Sequence, residues 1–143
     1  MNIKIMYHSK SGNTKKLADA IGEELAIKPT SILDNSFSFD EVVDLLFIGD
    51  GIYAGKASKH MTSFISQLDN EKIKNVTVFA TYGGQPEICD RIKQQLNEKG
   101  LNVIDETFSC KGKSWWIANR KHPNDDELNQ AKEFAKRVVK TIK

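Results

Sequence analysis

The chain has 143 residues, 39% of them hydrophobic and 28% charged, a composition typical of one globular domain with a single core. Lys and Arg number 21 against 19 Asp and Glu, so the formal charge of +2 provides no dominant basic surface for nucleic acid. The longest apolar run, residues 45–48, is far shorter than the ~20 residues that span a bilayer. We therefore expect a single cytoplasmic domain over residues 1–143, without a membrane span.

Segments with strand periodicity and segments with helix periodicity alternate along the chain. In chain order they predict strands at 3–7, 30–33, 44–48, 76–80 and 101–110, and helices near 13–27, 61–68, 86–99 and 124–142. The run at 44–48 is the most apolar, as expected for a strand with helices on both faces. This alternation indicates an α/β domain with a parallel, doubly wound sheet.

Several residues predict where helices begin and end. Pro29 ends the first helix, and Gly100 ends the third. Asn124, with Glu127 three residues later, predicts a capping box at the last helix. The two cysteines lack CxxC spacing, and we expect buried or half-buried free thiols in a reducing cytosol.

Three loops of unusual composition leave the carboxyl ends of predicted strands. They span residues 8–14, 49–58 and 81–85. In doubly wound sheets, ligands bind beyond these strand ends, at the point where the strand order reverses. We therefore expect the three loops to gather at one edge of the sheet and to form a binding site.

The first of these loops combines hydroxyl groups with a helix start. Ser9, Ser11 and Thr14 supply hydroxyls, and Gly12 allows close approach of the backbone. A helix beginning near Asn13 adds unpaired N–H groups and the positive end of its dipole. These features suit a phosphate group, and the alternative is an ordinary Ser/Thr cap on a strand-to-helix turn.

Other site classes fit the sequence poorly. Residues 51–57 approach a Walker loop, but the segment is one residue short and lacks the hydroxyl that binds magnesium; no GxGxxG occurs. A phosphoacceptor domain of this fold needs acidic residues after the first strand, where residues 8–11 stand instead. No His-x3-His or His/Cys cluster indicates a metal. We expect His8 to be hydrogen-bonded or solvated, without a serine relay.

The segment Ser9-Lys10-Ser11-Gly12-Asn13-Thr14 resembles the Thr/Ser-x-Thr/Ser-Gly-x-Thr phosphate loop of flavodoxins. The chain length, the loops 49–55 and 81–84, the Cys110-x-Gly112 segment and the helix start at 123–127 are also similar to that family. The resemblance covers nearly the whole chain and corresponds to the short form, with no insertion in the fifth strand. It implies a three-layer fold with a five-stranded parallel sheet of order 2-1-3-4-5.

By this resemblance the ligand is flavin mononucleotide (FMN). Its phosphate would lie on the first loop, and Tyr53 or Tyr82 would stack on its ring. Trp115 and Trp116 either cover the site or pack the last helix. The implied cofactor-binding residues, which include backbone groups of Thr81, Gly83 and Gly84, are Ser9, Lys10, Ser11, Gly12, Asn13, Thr14, Gly51, Ile52, Tyr53, Ala54, Gly55, Thr81, Tyr82, Gly83 and Gly84.

Flavodoxins are typically acidic, whereas this chain places lysines in the loops expected around the site. The lysines are Lys10, Lys15, Lys16, Lys56, Lys59, Lys111 and Lys113. The negative charges in the same loops are Asp50 and Glu87. The lysines form either a solvated rim without function or a surface that selects acidic redox partner proteins or a small anionic substrate.

Two functions follow from the resemblance. The leading hypothesis is a non-catalytic electron carrier that works with a reductase and an acceptor protein, while the bound cofactor does the redox chemistry. The alternative is an FMN-dependent oxidoreductase of the protoporphyrinogen oxidase or quinone reductase type, because residues 48–56 resemble the corresponding stretch of protoporphyrinogen oxidases. Those enzymes typically carry a longer insertion in the last strand, and none is evident here.

Overall fold

The computed structural model describes residues 1–34, 39–52, 58–82, 88–111 and 123–143. These residues form strands and helices that alternate through most of the chain. The strands are β1 (Ile3–Tyr7), β2 (Thr30–Ser31), β3 (Leu45–Ile52), β4 (Val76–Tyr82) and β5 (Phe108–Lys111). The helices are α1 (Asn13–Leu25), α2 (Lys59–Ser66), α3 (Ile88–Glu98) and α4 (Asp125–Ile142).

The strands form one parallel five-stranded sheet in the order β2-β1-β3-β4-β5, which confirms the predicted order 2-1-3-4-5. The chain leaves β1 toward β2 on one side and returns to β3 on the other side. The strand order therefore reverses beside β1, between β1 and β3. Tyr7 pairs with Gly49 at this position, so the loops that follow β1 and β3 leave the sheet next to each other.

Helices cover both faces of the sheet, and successive residues of β3 point to opposite faces. Ile48 packs in the core layer that contains Phe64 of α2 and Ile92 of α3. Phe47 packs in the other layer, which holds Leu17 of α1 and Phe134 of α4. This two-sided burial explains the continuous apolar run that predicted a central strand.

Two strands extend beyond their predicted ends. β3 continues from Gly49 to Ile52, and β4 continues through Thr81 and Tyr82, so these six residues lie in strands and not in loops as predicted. The pairing of Gly51 with Thr81 keeps both strands in the sheet. Glycine and small polar residues indicate a loop locally, but the neighbouring strand supplies the hydrogen bonds that favour extension.

Other boundaries are shorter than predicted. β2 has only two residues, and β5 begins at Phe108 instead of 101, with Val103 making an isolated bridge to Val76. Helix α1 ends at Leu25, because Ala26 adopts a left-handed conformation at its C-cap. Phe134 of α4 is fully buried.

The predicted boundary residues of two helices are confirmed. Asn124 and Glu127 form the capping box of α4, each side chain accepting the other residue's backbone N–H. Gly100 follows α3 with φ +85°. Cys89 and Cys110 are buried free thiols, as expected, and burial raises the pKa of each to about 12. In the described part of the chain, no helix combines the length and apolar character needed to cross a membrane.

Gly49 permits the close packing of β3 against β4. A Cβ atom at this position would lie 2.1 Å from Cε2 of the buried Phe79 ring. We expect Gly49→Ala to lower the free energy of unfolding by about 1–3 kcal/mol, the usual cost of overpacking a core. Urea denaturation measures this loss. In a Phe79→Leu background the same change should cost less, whereas an unchanged stability of Gly49→Ala would contradict this packing.

Candidate functional site

The loop from residue 8 to 12 joins β1 to α1 at the edge where the strand order reverses. Gly12 is the N-cap of α1 and has φ +92°, a left-handed conformation that favours glycine. The Ser9 hydroxyl oxygen accepts the backbone N–H of Gly12 at 3.0 Å and that of Lys15 at 3.2 Å. Ser9 therefore holds the loop in a tight turn against the first turn of the helix.

The start of α1 retains hydrogen-bonding groups without partners. The first turn of a helix has no intrahelical acceptors for its N–H groups. Among the described residues, the N–H groups of Asn13 and Thr14 meet no acceptor, although both residues are almost completely buried. The side-chain Oδ1 of Asn13 is also buried without a partner. This loop can therefore receive a further hydrogen-bonding group.

A hydrogen bond between two buried hydroxyls links this loop to β4. The Oγ1 atoms of Thr14 and Thr81 lie 2.9 Å apart, and their residues are 1% and 4% exposed. Either atom can be the donor. Thr81 precedes the last residue of β4, so the bond ties the beginning of α1 to the carboxyl end of that strand.

A buried carboxylate lies at the end of the neighbouring strand. Asp50 in β3 is fully buried and accepts the backbone N–H groups of Gly51 and Ser58, each at 2.9 Å. The Ser58 hydroxyl donates to it at 3.3 Å, and the same oxygen of Ser58 accepts the Met61 N–H as the cap of α2. Asp50 therefore connects the end of β3 to the beginning of α2.

His8 completes this cluster. Its Nδ1 lies 3.3 Å from Oδ1 of Asp50, and its ring centroid is 4.9 Å from that of His60 in α2. The His8 side chain is only 12% exposed. The prediction that His8 would be hydrogen-bonded or solvated is thus confirmed. Its side chain is hydrogen-bonded, with Asp50 as the partner.

Burial raises the pKa of the Asp50 carboxyl above its ordinary value, while hydrogen bonds from Ser58, His8 and Gly51 oppose that rise. A raised pKa means that the folded protein holds this proton more tightly than the unfolded chain. The resulting stabilisation is fully present below the unfolded pKa of about 3.9. It is lost as the pH rises through the raised folded pKa.

Comparisons with known proteins identify the family of this chain. A family model described as a flavodoxin domain matches residues 4–118. An uncharacterised protein of Methanocaldococcus jannaschii is 32% identical over 151 aligned residues, which cover 98% of this chain and 99% of that protein. The chain belongs to the flavodoxin family.

Solved structures confirm the flavodoxin fold. A flavodoxin from the domain Archaea superposes with a TM-score of 0.82, covers 99% of both chains and is 24% identical. A flavoprotein of Lactobacillus acidophilus, solved in complex with FMN, superposes with a TM-score of 0.55 and is 21% identical. That match covers 77% of this chain and 93% of the flavoprotein.

The structure brings together part of the residue set that the resemblance to flavodoxins implied. The loop Ser9–Thr14 and the strand ends at Gly51 and Thr81 lie at one edge of the sheet. Tyr82 is half-buried and packs against the core. The remaining predicted contacts lie outside the described residues, namely Tyr53, Ala54, Gly55, Gly83 and Gly84, and so do Trp115 and Trp116.

The lysine rim of this flavodoxin is only partly described. Lys10, Lys15, Lys16 and Lys59 are exposed, and Lys15 pairs with Asp19 at 2.9 Å. Asp50 is no member of the rim, contrary to prediction, because it is buried. Lys56, Lys113 and Glu87 lie outside the described residues, and the side chain of Lys111 is not among the described side chains.

Two features of the candidate site were missed from sequence. Asp50 was counted as a surface charge, although an acid between two glycines at the end of an apolar strand indicates a carboxylate that binds backbone N–H groups. Thr81 was expected to contribute backbone groups only, and nothing local in the sequence indicates that its side chain reaches Thr14, 67 positions away.

Removing the Asp50 carboxylate tests its structural role. Asp50→Ala leaves the buried N–H group of Gly51 and the partly buried N–H group of Ser58 without their acceptor, and we expect a loss of about 2–3 kcal/mol in the free energy of unfolding. Urea denaturation at neutral pH gives the value. The matched control is Asp40→Ala at an exposed position, which should change stability by no more than about 0.5 kcal/mol. Equal effects of the two substitutions would show that Asp50 does not hold β3 to α2.

Proposed function

We propose that this chain binds FMN through its phosphate at the loop Ser9–Thr14 and carries electrons between redox partner proteins. The observation that supports this most directly is the pair of N–H groups of Asn13 and Thr14, which have no acceptor among the described residues. A helix N-terminus with free N–H groups favours an anion, because the helix dipole adds positive charge there.

The hydroxyl groups of the loop suit a ligand that only accepts hydrogen bonds. A hydroxyl has one hydrogen and two lone pairs, and Ser9 uses both lone pairs on the N–H groups of Gly12 and Lys15. Its remaining capacity is donation, which a phosphate oxygen can accept. The Asn13 side chain fits as well, because a rotation of its amide by 180° places an NH2 donor where the orphaned Oδ1 lies.

When bound, FMN supplies the electron-accepting and electron-donating chemistry. The chain's own residues hold and surround it. Ser9, Lys10, Ser11, Gly12, Asn13 and Thr14 would bind the phosphate, and Tyr53 or Tyr82 would stack on the ring. Residues at the ends of β3 and β4, and those that follow them, would line its edge, namely Gly51, Ile52, Ala54, Gly55, Thr81, Gly83 and Gly84.

The Asp50 cluster favours a carrier over an enzyme. An acid–base catalyst needs a titratable group within reach of its substrate. Asp50 is fully buried, and its oxygens are engaged by Gly51, Ser58 and His8. It therefore serves the fold. The exposed Lys10, Lys16 and Lys59 would favour acidic partner proteins, a reductase and an acceptor, or a small anionic substrate.

The binding proposal is tested by titration with FMN and with riboflavin, which lacks the phosphate. Several charge-assisted hydrogen bonds to the phosphate should make the wild-type Kd for FMN at least about 100-fold lower than that for riboflavin. We expect Thr14→Glu to remove this preference, because a carboxylate at the loop repels the phosphate. Quenching of flavin fluorescence measures both constants.

The matched control is Thr62→Glu, the same substitution at an exposed position of α2, which should leave both constants unchanged. A wild-type protein that binds FMN no better than riboflavin would contradict the phosphate site. Electron transfer is tested with FMN-loaded protein, reduced anaerobically and mixed with oxidised cytochrome c, and we expect stoichiometric reduction of the cytochrome. Catalytic oxidation of NADH without an added reductase would instead identify an enzyme.

A further inference from the structure

We propose that Thr81 is a positioning residue whose hydroxyl orients the Thr14 hydroxyl as a donor toward the bound phosphate. The inference rests on the proposed FMN site and adds a residue that does not itself contact the phosphate. Its basis is the 2.9 Å separation of the two Oγ1 atoms in a place from which water is nearly excluded, since neither residue is more than 4% exposed.

Hydrogen-bond accounting determines what Thr81 does. Each hydroxyl owns one hydrogen, so the bond between Thr14 and Thr81 uses the hydrogen of only one of them. If Thr14 donates to Thr81, only lone pairs of Thr14 remain for a ligand. If Thr81 donates to Thr14, the hydrogen of Thr14 is free. A phosphate dianion presents only acceptors, so its binding requires the second arrangement.

The fold holds the Thr81 hydroxyl at a fixed position beside Thr14, and a phosphate acceptor at Thr14 then selects the direction of the bond. Its backbone lies within the sheet, in register with Gly51 of β3 and Cys110 of β5. A β-branched side chain in a strand has few accessible rotamers, so the position of its hydroxyl follows from the position of the strand. Thr14 lies on a different element, the first turn of α1. The bond therefore lets a residue of the rigid sheet orient the hydroxyl of Thr14.

This arrangement has a consequence for selectivity. A chain of hydroxyls in which Thr81 donates to Thr14, and Thr14 donates onward, is polarised in one direction and is strengthened by an anion at its end. A neutral group gains less from it. Thr81 should therefore contribute to the binding of FMN and very little to the binding of riboflavin, although no contact of Thr81 with the phosphate is required.

The test uses Thr81→Val, which keeps the shape and strand preference of threonine but removes the hydroxyl, and Thr81→Ser, which keeps the hydroxyl. We expect Thr81→Val to raise the Kd for FMN about five- to tenfold, which lies within the range of one hydrogen bond between neutral groups. The Kd for riboflavin should change less than about twofold, because Thr81 would line the ring edge through its backbone, which both variants retain. Thr81→Ser should restore most of the affinity for FMN. Urea denaturation of each variant shows whether the fold is intact.

A double-mutant cycle shows whether Thr81 acts through Thr14. In a Thr14→Val background, adding Thr81→Val should cause no further loss of FMN affinity, because the hydroxyl that Thr81 orients is already absent. A full additional loss in that background would overturn the inference, because Thr81 would then act by another route. Equal losses for FMN and riboflavin would overturn it as well, since they would show a general packing role.

The wild-type titration separates this inference from the proposed function. If the wild type fails to prefer FMN over riboflavin, the proposal of a phosphate site is wrong, and so is the inference about Thr81. If the wild type prefers FMN and Thr81→Val binds both flavins as the wild type does, only the role of Thr81 is wrong.

Discussion

The first turn of α1 contains buried backbone N–H groups that meet no acceptor among the described residues, and the proposed binding site at this edge of the sheet depends on them. A helix start normally finds a side-chain cap. Here the N-cap is Gly12, which has no side chain to offer, and the Ser9 hydroxyl accepts the N–H groups of Gly12 and Lys15. Among the residues that the structure describes, the N–H groups of Asn13 and Thr14 meet no acceptor, and in the proposed site they would bind the phosphate. The hydrogen bonding of this buried helix start is therefore incomplete within the described part of the chain, at the position where the strand order reverses.

The surroundings of this helix start are fixed by buried polar contacts. Thr14 is tied to β4 through Thr81, and Asp50 joins the end of β3 to the beginning of α2 through Gly51 and Ser58. Burying a carboxylate is costly, and its raised pKa reflects that cost. The hydrogen bonds that it accepts offset part of the cost. They also hold the two elements in one arrangement, so binding would require little rearrangement.

The family could be predicted from the sequence because its signals are local patterns, and the strand order followed from the resemblance to that family. The apolar periodicity of residues 45–48, the capping box at Asn124 and the small-residue loop before α1 are all short-range signals. The predicted ends of β3 and β4 were wrong because they depend on non-local pairing between strands. Gly51 and Thr81 have loop-like neighbours, and only their pairing across β3 and β4 keeps them extended. The Thr14–Thr81 contact is likewise a product of the tertiary fold.

The central claim, that the N–H groups of Asn13 and Thr14 bind a phosphate, is tested most directly by amide NMR. In 1H–15N correlation spectra, hydrogen bonds from these groups to a phosphate dianion should move their proton resonances strongly downfield when FMN is added. Riboflavin, which shares the ring but lacks the anion, should leave the two resonances nearly unchanged. Absence of a response to FMN at Asn13 and Thr14, or the same response to both flavins, would contradict the account.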